Sequence, residues 1–157
     1  ELCCAVALAQ LENIDHLVKR RIESADIFSE ATREFHEWFI PQKIPHDCLN
    51  SYWTWVCKID RDDISWEEVR DLYIKNGGDG IYAAWMLTYL EPMFSELKLL
   101  GREKFISDRN LQSYRLGLCP NAEYLQPRLM QFKTNYWYLD DAKKQADILF
   151  KTLSELK

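Results

Sequence analysis

Tyr52–Ile59, YWTWVCKI, is the stretch that decides the fold. Aromatic and β-branched residues crowd it, and such side chains suit a pleated, half-buried strand. Both of its neighbours read as helices, so the fold is a mixed one. Upstream, Leu11, Ile14, Val18, Ile22, Ala25, Phe28 and Phe35 recur at three- and four-residue steps. That spacing turns one apolar stripe of a helix toward a core. The connection Phe39–Asp47 holds Ile40-Pro41 and Ile44-Pro45, and a residue before proline is pushed out of the helical region into extended backbone. Downstream, Ser65-Trp66-Glu67-Glu68 fits a capping box. It opens a short helix with Trp66, Val69 and Leu72 inward, which Gly77-Gly78 ends.

Asp79–Trp85 (DGIYAAW) reads as a second strand, followed by an irregular stretch to about Cys119. Pro120-Asn121 opens a short helix that Pro127 stops, and Leu129–Lys133 (LMQFK) reads as a third strand. From Asp140 to the end, Ala142, Ala146, Leu149, Leu153 and Leu156 form the clearest apolar seam. The expectation is an α+β fold over residues 1–157, one domain with a small three-stranded sheet flanked by helices. There is no internal repeat and no low-complexity linker.

The opening, Leu2–Ala9 (LCCAVALA), is apolar on every side. A helix apolar all round is buried all round, and no capping residue precedes position 1 to satisfy its first N–H groups. Residues 1–36 are therefore expected to form a long helix that continues a longer parent chain and joins this module to a preceding domain. The apolar run is shorter than the roughly 20 residues that cross a bilayer, and it lacks the flanks of a signal peptide.

A chain of 157 residues with 47% hydrophobic and 29% charged residues suits one globular domain. A net charge of −5 argues against a nucleic-acid partner, which needs a clustered basic face. The densest basic run, Lys19-Arg20-Arg21, is flanked by Asp15 and Glu23 and reads as a solvated helix face. Cys3, Cys4, Cys48, Cys57 and Cys119 make an odd set without framework spacing, which points to reduced thiols and a cytoplasmic setting. His46 and Cys48 have no second pair to complete a metal site, so no metal ligand is expected.

Catalytic signatures are lacking. No serine sits in G-x-S-x-G, and Gly77-Gly78-Asp79-Gly80 matches neither a P-loop nor G-x-G-x-x-G. The acidic pairs Asp62-Asp63, Glu67-Glu68 and Asp140-Asp141 lie at helix starts, where they complement the dipole. The aromatic segments Asn50–Trp55 and Tyr82–Tyr89 stand out, because rings with one wet tip line ligand rims and interfaces. For any single ring, filling the core is the commoner role. The candidate rim residues are Asn50, Tyr52, Tyr82, Trp85 and Tyr89.

On these residues the chain resembles the C-terminal third of the DegT/StrS nucleotide-sugar aminotransferases, pyridoxal-phosphate enzymes of the aspartate-aminotransferase fold (fold type I). Glu1–Asp15 (ELCCAVALAQLENID) is similar to that family's run of Glu-Leu, small apolar residues, Ala-Gln-Leu and Asp, with Ala9-Gln10-Leu11 the best-matched triplet. Asn50-Ser51-Tyr52-Trp53 is similar to its Ser-Tyr strand opening, and Gly80–Pro92 falls where the family has a second aromatic segment. Cys119–Leu125 and Leu129–Lys133 look like its Pro-x-Ala-Glu helix and the strand after it. The resemblance covers essentially the whole chain in order. Many members carry Arg followed by a His or Tyr-Pro motif in the second segment. Tyr82 and Ala84-Trp85-Met86 stand there instead, which resembles the perosamine-synthase-like branch or an altered sugar pocket.

The resemblance implies the small domain of a pyridoxal-phosphate-dependent enzyme that aminates a keto-sugar nucleotide. It also implies that the Schiff-base lysine, the aspartate beside the pyridinium nitrogen, the ring-stacking residue and a phosphate-contacting asparagine all precede Glu1. None of Lys58, Lys75, Lys98 or Lys133 matches the catalytic motif. No catalytic or cofactor-binding residue is therefore carried over, and the chain alone is expected to be inactive and to bind no cofactor. The implied partners are an N-terminal cofactor-binding domain, a second subunit in a homodimer, a sugar nucleotide and an amino-acid donor, with neither nucleic acid nor membrane. The alternative is a non-catalytic binding or assembly module that reuses the small-domain fold.

Overall fold

The computed structural model describes residues 1–83, 85–95 and 114–157. Ala84, Lys98 and most of the irregular stretch expected before Cys119 lie outside them. The first helical segment is two helices, α1 (Leu2–Glu12) and α2 (Ile14–Ala31), followed by a 3-10 turn at Arg33–Phe35. The single helix expected over residues 1–36 breaks at Asn13, whose backbone leaves the helical region and whose side-chain amide donates to the Ala9 carbonyl at 3.0 Å. Asparagine competes for backbone acceptors in this way, which is why it favours helix ends.

Strand β1 (Phe39–Pro41) and strand β2 (Thr54–Ile59) come next, then helix α3 (Trp66–Lys75) and strand β3 (Tyr82–Ala83). Short helices α4 (Pro92–Ser95) and α5 (Pro120–Leu125) precede strand β4 (Leu129–Lys133) and the closing helix α6 (Leu139–Glu155). The sheet has four antiparallel strands in the order β1-β2-β4-β3, one more than expected. The extra strand is the Ile-Pro connection. As an edge strand it tolerates the missing N–H of Pro41, and the Gln42 N–H takes over by donating to the Val56 carbonyl at 2.9 Å. Strand β2 starts two residues later than expected, because Tyr52 sits at φ 48°, in the left-handed region where no strand can run. The second expected strand shrinks to Tyr82–Ala83, just after Gly80 at φ 95°.

One face of the sheet carries the core. Trp55 pairs with Phe132 and Cys57 with Met130, and all four are buried. Phe28 of α2 packs on this face with ring centroids 5.5 Å from Trp55 and 5.7 Å from Phe132, while Tyr73 of α3 meets Phe132 edge-on at 5.8 Å. Ala142, Ala146, Leu149 and Leu153 of α6 complete the cluster, as the terminal seam predicts. Burying one such large side chain stabilises by roughly 1.5–3 kcal/mol.

The capping box at Ser65 forms as expected. Its hydroxyl accepts from the Glu68 N–H at 3.2 Å, and the Glu68 carboxylate accepts from the Ser65 N–H at 2.7 Å. Gly77, at φ 97°, ends α3. Helix α1 behaves differently from the rest: none of its residues is buried, and Leu2 is 80% exposed. No helix among the described residues is long and apolar enough to cross a membrane.

Candidate functional site

The opposite face of the sheet is polar. Alternation along β2 and β4 points Thr54, Gln131 and Lys133 away from the core, and Thr54 Oγ1 donates to Gln131 Oε1 at 3.2 Å. Above these residues lies a groove of about 380 Å³ lined by Arg21, Trp53, Thr54, Tyr82, Trp85, Gln131, Lys133 and Asn135. Its rings are wet: Trp53 is 68% exposed, Tyr82 61% and Trp85 78%. The Lys133 ammonium is paired with Asp79.

The groove is held by a small hydrogen-bond knot. Arg21 Nη1 donates to the Trp53 carbonyl at 3.0 Å and to Thr134 Oγ1 at 3.1 Å, and that hydroxyl donates to the Tyr52 carbonyl at 2.5 Å. Asn50 Oδ1 accepts from the Tyr52 N–H at 2.9 Å, the turn that aspartate and asparagine make with the backbone two residues on. It holds Tyr52 in its left-handed conformation, so that the chain reverses into β2 with Trp53 on the groove side.

A second polar cluster adjoins. Asp79 Oδ2 accepts from the Tyr136 phenol at 3.2 Å, and Gln145 Oε1 accepts from the Tyr73 phenol at 2.7 Å and the Asp79 N–H at 2.9 Å. Burial, and after it the Asp79 carboxylate, pushes both phenols well above the ordinary tyrosine range. Both stay protonated at neutral pH and act as fixed donors, bracing the floor beside Lys133.

The five rim candidates separate. Tyr82 and Trp85 line the groove. Tyr52 is buried, with its phenol raised by burial and then by Asp26, and it contributes a carbonyl rather than a ring. Asn50 shapes the turn. Tyr89 stands elsewhere, donating to Glu123, whose carboxylate also accepts from the Gly117 N–H at 2.8 Å. Burial and then Glu123 push its phenol up to about 12. The residues that sequence reasoning passes over are Arg21, Trp53, Lys133 and Asn135. Arg21 and Arg20 were expected on a solvated face, yet both are only half-exposed and line cavities, while Lys19 alone stays in solvent beside Glu23 at 3.8 Å. Their signal was position: Arg21 falls on the Val18–Ala25–Phe28 stripe, where an apolar residue belongs.

No group of three or more metal-ligating side chains gathers among the described residues. The arrangement offers aromatic faces, two cations and amide groups, a chemistry that binds and orients a polar ligand with flat or apolar faces.

The sequence matches no protein-family model and no curated protein. Its fold is similar to the crystal structure of the sugar aminotransferase CalS13 from Micromonospora echinospora, with a TM-score of 0.61 at 15% identity. The likeness covers 94% of this chain and 33% of that one, so the chain spans about a third of that protein's length. The chain therefore has the fold of part of a sugar aminotransferase.

Proposed function

We propose that this chain is the C-terminal small domain of a pyridoxal-phosphate-dependent aminotransferase of the DegT/StrS type, acting on a keto-sugar nucleotide. Its share of the work is to cover the reaction centre and to form one wall of the sugar pocket. The observation that carries this is the groove of Trp53, Tyr82 and Trp85 beside Arg21 and Lys133, built on a fold shared with a sugar aminotransferase. Aromatic faces pack against the C–H faces of a sugar, and cations attract its nucleotide phosphates. The groove does not fit a resident pyridoxal phosphate, because its amine, Lys133, is paired with Asp79 and no other lysine lines it among the described residues. In this reading the cofactor belongs to a preceding domain of the parent, and residues 1–36 link the two domains.

NMR titration with a nucleotide sugar tests it. The indole N–H signals of Trp53 and Trp85 should shift saturably, and Trp85→Ala should weaken the response. Shifts that avoid both indoles would contradict the assignment.

A further inference from the structure

A second cavity, of about 310 Å³, lies between α2 and the segment that enters α6. It is bounded by Gln10, His16, Arg20, Arg21, Trp137 and Tyr138, and no aspartate or glutamate among the described residues lines it. Arg33, Arg61, Arg70 and Arg128 each pair with a carboxylate. Among the described residues Arg20 and Arg21 meet neutral oxygens alone: Arg20 Nη2 donates to the Trp137 carbonyl at 2.5 Å, and Arg21 donates to Trp53 and Thr134. Arg20 Nε is buried with no acceptor among the described residues. A half-buried guanidinium with no carboxylate partner among the described residues is costly, and an anion beside it offsets that cost.

The cavity has a second character. The Trp137 indole is 76% exposed and the Tyr138 ring 64% exposed. Side chains just ahead of a helix are ordinarily polar caps, yet here two large rings stand beside the cations, and Tyr138 occupies the N-cap position of α6 without a side-chain cap bond. Cations with no acid among them, next to open aromatic faces, match an oxyanion on a flat ring.

We propose that this cavity binds a small aryl oxyanion, an aryl phosphate or aryl carboxylate. Arg20 and His16 meet the anionic group, and Trp137 and Tyr138 stack on the ring. The cavity shares Arg21 and Asn135 with the groove, but Trp137 and Tyr138 line only the cavity and Trp53, Tyr82 and Trp85 only the groove, so a failed response at Trp137 is told apart from one at Trp85.

The test titrates the chain with phenyl phosphate, benzoate, inorganic phosphate and benzamide, following the Trp137 indole N–H by NMR, with Trp137→Phe to assign the signal. Phenyl phosphate or benzoate should shift Trp137 saturably and leave Trp85 in place. Inorganic phosphate and benzamide, each lacking one half of the recognition, should bind about tenfold more weakly, as expected when one charge-assisted hydrogen bond or one ring contact is lost. Arg20→Gln should weaken phenyl phosphate by about tenfold or more. His16→Gln, at an exposed position that folding does not need, should weaken it several-fold. The proposal is overturned if benzamide binds as tightly as benzoate, if both variants keep the parent affinity, or if only Trp85 responds.

Discussion

Arg21 Nη1 lies 3.0 Å from the Trp53 carbonyl oxygen, and this one bond ties the middle of helix α2 to the turn that launches β2. The same nitrogen reaches Thr134 Oγ1 at 3.1 Å, so the end of β4 is held in the same knot. Removing either partner leaves oxygens that were satisfied inside the fold. Arg21→Met and Thr134→Val should each destabilise by about 1–3 kcal/mol in urea denaturation. The double variant should lose less than the sum, since both changes cut one network. Full additivity would show that the knot is incidental.

Leu153 of α6 is fully buried in the core cluster. Leu153→Ala should cost about 2–5 kcal/mol, measured by the same denaturation. A loss below about 0.5 kcal/mol, the scale of a surface change, would place the seam in solvent.

How much of this was legible follows from which forces were local. The core of α6, the capping box at Ser65 and strand β4 show in the sequence because spacing and caps act within a few residues. β1 does not, because Ile40-Pro41 is extended either way and only pairing with Cys57–Ile59 makes it a strand. Tyr82 and Trp85, singled out for their polar tips, stand exposed in the groove lining. Tyr52 was misplaced because its left-handed backbone, set by Asn50, turns the ring inward. Arg21 was hidden by its neighbour: Lys19-Arg20-Arg21 looks like a single charged face, but successive helix positions lie about 100° apart, and two of the three point inward.

Gly78 leaves no space for a side chain, since an added Cβ would collide with the ring of Tyr73, itself fully buried. Gly78→Ala should destabilise by about 1–3 kcal/mol through overpacking. Tyr73→Leu in the same chain should make the alanine nearly neutral, because the colliding ring atoms are gone. A Gly78→Ala variant as stable as the parent would contradict this packing.

The Tyr89–Glu123 contact gives a two-sided pH dependence. The Tyr89 hydrogen bond, then the Gly117 N–H, holds the Glu123 carboxyl below its usual range. Its contribution is therefore present above the unfolded glutamate pKa and is lost as pH falls through the lower folded value. Tyr89 is raised to about 12, so its contribution is complete below the ordinary tyrosine pKa and disappears as pH rises through about 12. NMR of the Gly117 amide should show the contact opening at both extremes, and Glu123→Gln should bring the Tyr89 titration down. An unchanged Tyr89 titration in that variant would assign the shift to burial alone.

Helix α1 exposes Val6 and Leu8 at 57% each, with Leu11 at 65%. An apolar stretch of this kind drives association. Val6→Lys and Leu8→Glu should reduce self-association measured by light scattering. If neither variant changes the association state and the first two turns resist hydrogen exchange, α1 is stable on its own terms.

The proposal that this chain is the small domain of a pyridoxal-phosphate aminotransferase is tested most directly on the natural gene product. Borohydride reduction in the presence of pyridoxal phosphate, followed by intact mass and peptide mapping, locates the lysine that carries the cofactor. The account predicts a product longer than 157 residues, with one stoichiometric cofactor–lysine adduct outside this sequence. An adduct on Lys133 or any other lysine of this chain, or a gene product that takes up no cofactor, would contradict it.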